Sequence, residues 1–385
     1  MKLSDEIKNK MQNLIVDFFN IFPIKKNKIF IFSYYGNQYG DSPKYISEYL
    51  VKNYPRDKFD IVWQFNDIDA HKDIEGVRMV KSMTLRHFYE LCTSKIIITN
   101  FRTTKLFKKR KEQYYIQTWH SSLRLKQIEK DAENSLQKSY IEMAKMDSKK
   151  CDLLLSGCEY STKIFKRAFW YDGKIFECGT PANDILFSRN NLIKEKILKK
   201  LKIDSSYKFI LYAPTFRENK SLEIYTMNYE EVINTVSKRF GGKWILLLKL
   251  HPHMTNIAKD IKNTICVINV TDYDDIQELL VISDVLISDY SAVMFSFLLT
   301  RKPGFLYVPD LNNYLENDRK LYFNINELPF RYSKSNEELL ENIANFDEEI
   351  FRTKVENMID KIGTYESGEA SRKVCDHIMR VIEGE

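Results

Sequence analysis

No G-x-G-x-x-G follows any strand-like run in this sequence, which removes the fingerprint of nicotinamide and flavin binding. The six cysteines (Cys92, Cys151, Cys158, Cys178, Cys266, Cys375) form no C-x-x-C pair and no metal-ligand spacing. Neither a zinc site nor a disulfide framework is therefore expected, and the cysteines read as small, reduced core residues. No stretch approaches the ~20 apolar residues of a membrane span, and no leader with a cleavage site is present, so a cytoplasmic protein is expected. Low-complexity tracts are missing too: 44% of residues are hydrophobic and 29% charged, the balance of a globular chain. The net charge of +6 suits a surface that meets phosphates or anionic lipids. It is too weak to imply nucleic acid, and no helix-turn-helix, RNP or zinc-finger pattern supports such a partner. No Ser–His–acid order can be derived, so a hydrolase triad is unsupported.

What the chain does have is alternation. At 385 residues it is too long for one ordinary core, and two domains are expected. Short apolar runs read as strands at Lys28–Phe32, Phe59–Phe65, Val77–Val80, Lys95–Thr99, Tyr114–Thr118, Cys151–Leu155 and Lys174–Cys178, with helical patterns between them. After a polar helix over Asn191–Leu201 the alternation restarts, with strands at Lys208–Tyr212, Lys243–Leu250, Thr264–Val270, Val285–Ser288 and Gly304–Val308. Helices at Glu337–Ala344, Glu348–Ile359 and Glu369–Ile382 close the chain. Alternating β and α elements imply parallel sheets with helices on both faces, hence two Rossmann-like halves. The boundaries read as an N-terminal helix over 1–26, a first domain over 27–190, a second over 205–345 and C-terminal helices over 346–385.

The N-terminal helix is amphipathic. Leu3, Ile7, Met11, Leu14, Ile15, Phe18, Phe19 and Phe22 recur at helical spacing between lysines, a pattern that can lie in a membrane interface or pack its stripe on the domain. A second basic cluster, Lys108-Lys109-Arg110-Lys111, is another candidate for anionic lipid.

Two histidines stand just beyond buried strands: His120 in Thr118-Trp119-His120, and His251 in Leu250-His251-Pro252-His253. In open α/β sheets the carboxyl edge of the strands is where ligands bind. A histidine there can take a proton from a hydroxyl nucleophile at neutral pH, and a satisfied core histidine is the competing reading of His120. His251 reads as a phosphate-binding or acid group and His253 as structural, since no carboxylate–histidine pattern completes a metal site. Ser288-Asp289-Tyr290-Ser291 opens a helix over Ala292–Leu299, which Asp289 or Ser291 can cap, leaving free N–H groups for an anion. Thr215 and Arg217, after the strand ending at Ala213, offer a hydroxyl and a guanidinium fork suited to phosphate.

Taken together, TWHSSLRLKQIEKD (118–131), AFWYDGKIFECGTPANDILF (168–187), LYAPTFRE (211–218), LLLKLHPH (246–253) and the run from Val270 to Tyr314 resemble the CDP-glycerol glycerophosphotransferase family of teichoic-acid and capsule polyol-phosphate transferases. The resemblance implies a GT-B fold, two Rossmann-like domains facing across a cleft, and no cofactor or metal. It implies transfer of glycerol phosphate or ribitol phosphate from a CDP-polyol to an acceptor hydroxyl on a glycan or lipid-linked chain, with release of CMP. His120 falls on the family's proposed base and His251 on the histidine near the donor phosphates, with Arg217 and Ser291 beside them. Thr215 and Ser288 are expected at the phosphates, and Asp289 and Glu278 at the nucleotide. Departures from the family pattern are Ser121 and Ser122 after the histidine, Ala182 for an arginine, Lys249 for an arginine, Ser296 for an aspartate, and Arg319-Lys320-Leu321. Two rivals stay open: a GT-B glycosyltransferase that releases a nucleoside diphosphate, and a non-catalytic membrane-associated scaffold.

Overall fold

The computed structural model describes residues 2–188, 191–216, 227–250, 264–317 and 320–384. The chain forms two compact units, one from residues 1–120, 129–184 and 365–385, the other from 121–128 and 185–364.

The first unit is a seven-stranded sheet in the order β3-β2-β1-β4-β5-β6-β7, parallel throughout. Its strands are β1 Lys25–Phe32, β2 Asp60–Phe65, β3 Arg78–Lys81, β4 Ser94–Thr99, β5 Tyr114–Gln117, β6 Leu153–Ser156 and β7 Lys174–Glu177. Central parallel strands bury both faces, so their sequences are continuous apolar runs rather than alternating ones. Ile29–Phe32 and Ile96–Ile98 are of this kind and are buried throughout. On one face the helix α2 (Asp41–Asn53) packs Ile46 and Leu50 into a core with Trp63, Phe65 and Ile98. Val374, Cys375 and Ile378, from the helix Ala370–Glu383, complete that core. The C-terminal helices assigned together from sequence therefore separate: Glu348–Ile362 belongs to the second unit and Ala370–Glu383 to the first.

The N-terminal helix α1 (Lys2–Phe19) divides its apolar residues. Val16 forms a small core with Phe88 and Cys92 of α3 (Leu85–Thr93), joined by Ile15 and Phe19. Ile7, Met11, Leu14, Phe18 and Ile21 remain exposed. The basic cluster after it is largely committed: Lys108 pairs with Asp17, Lys109 with Asp152, and Arg110 donates to the carbonyls of Asn20, Phe22 and Cys92.

The second unit is a six-stranded parallel sheet in the order β10-β9-β8-β11-β12-β13. Its strands are β8 Tyr207–Ala213, β9 Lys243–Leu248, β10 Val267–Asn269, β11 Val285–Ser288, β12 Gly304–Tyr307 and β13 Arg331–Ser333. The segment 121–128 is part of this unit. Lys126 bridges Leu321 in antiparallel fashion, Gln127 N donates to Lys320 O at 2.9 Å, and Tyr322 N donates to Leu125 O at 2.7 Å. The architecture is the expected α/β pair of Rossmann-like sheets.

One charge cluster in the first unit has a fully buried centre, the pair Lys28 and Glu90. Lys28 on β1 donates to Glu90 of α3 at 2.5 Å and to Thr93 at 2.8 Å, while Arg78 reaches Glu90 at 2.9 Å and Asp60 at 2.7 Å. Burial alone would raise the Glu90 carboxyl, but the bonds from Arg78 and Lys28 outweigh it and hold the group at about 2, against an ordinary 4.5. A carboxyl depressed on folding contributes stability that is present above its unfolded value and lost as pH falls through the folded one. Unfolding free energy should thus decline between pH 4.5 and 2 in part through Glu90. A Glu90→Gln variant, which leaves buried Lys28 without a charge partner, should lose about 3 kcal/mol at neutral pH and show a flatter acid limb. Denaturant titrations across that pH range give both quantities; an unchanged acid limb would contradict the assignment.

Candidate active site

In each sheet the strand order reverses once, and loops leaving the carboxyl ends on either side of that point diverge to leave a crevice. The reversal lies between β1 and β4 in the first unit and between β8 and β11 in the second.

The first crevice is edged by the loops after β1, β4 and β5, which bring together Tyr34, Tyr35, Asn100, Phe101, Trp119 and His120. Asn100 is the hub. Its side-chain oxygen accepts from Tyr34 N at 3.0 Å and its amide donates to Asp41 at 2.9 Å, while Tyr34 OH donates to the same carboxylate at 3.1 Å. The Asn100 carbonyl lies 3.3 Å from His120 Nδ1. A carbonyl can only accept, so Nδ1 carries a proton. The imidazole is solvent-exposed, with its ring stacked on Phe101 at 4.9 Å and 19° and against Trp119 at 4.3 Å. His120 is thus a surface histidine whose Nδ1 is turned to a backbone carbonyl, and the core reading falls away.

Beneath it lies a buried polar network. Trp119 N donates to Gln117 Oε1, whose amide nitrogen donates to Phe101 O and Tyr115 OH. Trp119 packs edge-on against Phe169, and the Arg102 guanidinium lies 3.7 Å from the Phe169 ring centroid and 5.7 Å from that of Trp119. Arg102 is paired with Glu129 at 3.1 Å and Asp147 at 3.2 Å, and it donates to Ser148 at 2.8 Å. Tyr140 OH donates to the other oxygen of Glu129 at 2.7 Å.

Ala182, where the family pattern has arginine, is buried in the turn Pro181–Phe187, and its N–H lies 3.4 Å from Ser42 Oγ. The preceding Gly179 has φ +94°, and a Cβ there would stand 3.1 Å from Tyr365 O, so glycine is required.

At the second crevice the expected roles are redistributed. Asp289 does not cap the following helix. Its carboxylate accepts from Thr215 N at 2.9 Å and from Thr215 Oγ1 at 2.6 Å, tying the loop after β8 to the loop after β11. Ser288 is buried with its hydroxyl donating to Ala213 O at 2.7 Å, a second tie across the same strands. The helix spans only Val293–Leu298, and Ser291 Oγ accepts from Val293 N at 3.4 Å at its start. Tyr290 stacks on Tyr314 at 3.7 Å and donates to Asp310. Glu278 accepts from Tyr273 OH at 2.5 Å. Ser296 is buried within the short helix.

Lys249, which departs from the family pattern, is a clamp. Its buried ammonium donates to Thr271 O at 2.6 Å and Tyr273 O at 2.7 Å. Burial pulls it down to about 8 despite the opposing charges of Asp274, Asp272 and Asp275. His251, His253, Arg217 and Arg319 lie outside the described residues. Among the described residues no group of three or more His, Cys, Asp or Glu side chains is arranged to hold a metal ion.

Sequence reasoning missed Asn100, Tyr34, Tyr35 and the Arg102 network. Asn100 follows the apolar run Ile96–Ile98 and Thr99, so the signal that picked out His120 was available for it. Arg102 and Glu129 offer no such signal, because only tertiary packing encloses them.

The CDP-Glycerol:Poly(glycerophosphate) glycerophosphotransferase family matches residues 14–380. The chain is 30% identical over 373 residues to a teichoic acid poly(glycerol phosphate) polymerase of Staphylococcus epidermidis, covering 94% of this chain and 51% of that protein. It is 29% identical to the protein of the same name from Bacillus spizizenii, covering 98% of this chain and all of the other. The chain thus spans about half the length of the first relative and the full length of the second. A solved structure of the wall teichoic acid polymerase TagF superposes with a TM-score of 0.85 at 28% identity, covering 99% of this chain and 96% of that one. TagF has also been determined after soaking with CDPG.

Proposed function

Because this chain belongs to the CDP-glycerol:poly(glycerophosphate) glycerophosphotransferase family, we propose that it transfers glycerol phosphate from CDP-glycerol to a hydroxyl of a teichoic-acid-type acceptor and releases CMP. The observation that carries the chemistry is His120: an exposed imidazole at the sheet's carboxyl edge, its Nδ1 proton held by the Asn100 carbonyl. Nε2 takes the proton of the acceptor hydroxyl as its oxygen attacks the phosphorus bearing the glycerol. The bond from that phosphorus to the bridging oxygen breaks, and CMP departs with the electron pair. Such transfers depend on positioning and on neutralising phosphate charge, so no covalent enzyme intermediate is needed. Arg217, His251 and the Ser291 hydroxyl are assigned to the donor phosphates. Thr215 and Asp289 then form the floor beneath them, and Lys249 steadies the 270–275 loop. Asp289 and Glu278 retain the nucleotide side as their place in this scheme.

A lipid-linked acceptor would place this chain at a membrane surface, and we assign the exposed stripe Ile7, Met11, Leu14, Phe18 and Ile21 to peripheral contact with the cytoplasmic leaflet. The exposed Lys10, Lys25, Lys26 and Lys111 supply attraction to anionic headgroups. The described residues contain no helix long and apolar enough to cross a membrane.

Two measurements test these assignments. Purified protein incubated with CDP-glycerol, CDP-ribitol or UDP-glucose, with and without a membrane extract, should give acceptor-dependent CMP from CDP-glycerol. A folded His120→Asn variant should turn over ~10²-fold more slowly. CMP release near the wild-type rate would remove His120 as the base, and UDP release would move the chain to the glycosyltransferases. Separately, a Leu14→Glu/Phe18→Glu variant should bind phosphatidylglycerol vesicles roughly 100-fold more weakly, from the loss of two apolar burials of about 1.5 kcal/mol each. Its melting temperature should fall by no more than a few degrees, since Leu14 and Phe18 are exposed and Phe18 gives up edge contacts with Phe19 and Phe22. Undiminished vesicle binding would remove α1 as the contact.

A further inference from the structure

Strain in the described backbone is concentrated. Nine residues other than glycine have positive φ: Tyr34, Tyr35, Asp41, Met83, Trp119, Glu129, Trp170, Lys202 and Arg301. Tyr34, Tyr35, Asp41, Trp119 and Glu129 all belong to the hydrogen-bond and ring network around His120. Bulky residues in the left-handed region persist only where their surroundings over-determine them, and such residues cluster where a side chain has a task.

Tyr35 stands out among these five. Its backbone sits at φ 56°, ψ 29°, inside a turn in which glycine would be unstrained. The other four have an internal reason to be there: Asp41 and Glu129 are buried acceptors, Trp119 is a buried ring, and Tyr34 donates to Asp41. The Tyr35 side chain is 39% exposed. Its ring packs at 4.8 Å and 60° on Phe101, whose ring is stacked in turn on His120. The turn is held by Tyr34 N on Asn100, and by Asn66, whose amide donates to Tyr35 O and whose N–H donates to Gly36 O. An open aromatic ring is thus held in a costly conformation, one ring away from the exposed imidazole.

We propose that Tyr35 is an acceptor-positioning residue: its ring packs against the carbon face of the acceptor's terminal polyol unit and steers one hydroxyl toward His120 Nε2. The proposal rests on the transferase reading above and adds the residue that selects the acceptor. An aromatic face offers a polyhydroxylated chain apolar contact without competing for its hydroxyls, which leaves the one to be deprotonated free for the histidine. It acts through placement, so its removal should be felt in acceptor binding far more than in donor binding.

The test uses the full chain and a short poly(glycerol phosphate) oligomer as probe, with oligomer binding followed by calorimetry and CMP release by chromatography. Tyr35→Ala and Tyr35→Gly should each weaken oligomer binding and raise the acceptor KM by about tenfold, with the CDP-glycerol KM unchanged. Tyr35→Phe, which keeps the ring, should behave as wild type within about twofold. Tyr35→Gly guards against misfolding, because glycine suits this backbone and the variant should melt close to the wild-type temperature. Equal oligomer affinity in wild type and both ring-less variants would overturn the proposal, as would parallel losses in donor KM. Wild type that binds the oligomer through Tyr35 yet forms no CMP would overturn the transferase reading alone.

Discussion

One buried cation organises the carboxyl edge of the first sheet. Arg102 is almost wholly enclosed, held between Glu129 and Asp147 and over the ring of Phe169. Unpairing a buried charge of this kind costs about 3–5 kcal/mol, more than any single apolar contact nearby supplies. The surrounding loops hang from the same group of atoms. Thr103 gives both its N–H and its hydroxyl to Asp147, Tyr115 OH reaches that carboxylate at 3.2 Å, and Lys150 ties Thr103, Thr104 and Phe107 together. Trp119 rests against the cation and its aromatic shelf, and His120 is the next residue along. The histidine is exposed, yet its position is set by groups that see no water.

The second unit solves the same problem with less charge. Its crevice is closed underneath by the Thr215–Asp289 tie, the Ser288 hydroxyl on Ala213 O and the stacked pair Tyr290–Tyr314. A lone amine, Lys249, holds two carbonyls of the 270–275 loop. Lysine suits this job because a compact ammonium can satisfy two carbonyls in a space where a guanidinium fork would need planar partners. The departure from the family's arginine is therefore accompanied by two short bonds to backbone carbonyls.

Much of the fold could be read from residues alone, for a definite reason. Strands buried on both faces must be apolar throughout, and Ile29–Phe32, Ile96–Ile98 and Ile245–Leu248 carry that mark plainly. The three-residue β13, Arg331–Ser333, carries none; it exists because Phe305–Tyr307 offers it a ladder. The expected strand Thr264–Val270 shrinks to Val267–Asn269 because the Thr264 hydroxyl accepts from Val267 N and turns the chain. At the site, His120 was legible from its place after a buried run. Of the two residues read as possible helix caps, Ser291 reaches the helix start and Asp289 does not, since its carboxylate faces the N–H and hydroxyl of Thr215 in the loop after β8 and binds those first. Left-handed tyrosines after β1 leave no sequence signal, because nothing but tertiary bonding holds a bulky residue there.

The first unit is assembled from both ends of the described chain. Cys375 donates to the carbonyl of Ile46 in α2, and its neighbours Val374 and Ile378 complete a core begun by residues some three hundred positions earlier. During synthesis the first sheet is complete in sequence by residue 184, but its covering helix starts only at Ala370. At the usual ~5–20 residues per second the interval is on the order of ten to forty seconds. Throughout it, Ile46, Leu50 and Trp63 stand on an unroofed face while the whole second unit is being made. Over that interval the nascent chain carries an apolar face in need of shielding, and the first unit closes only after residues 370–383 are made.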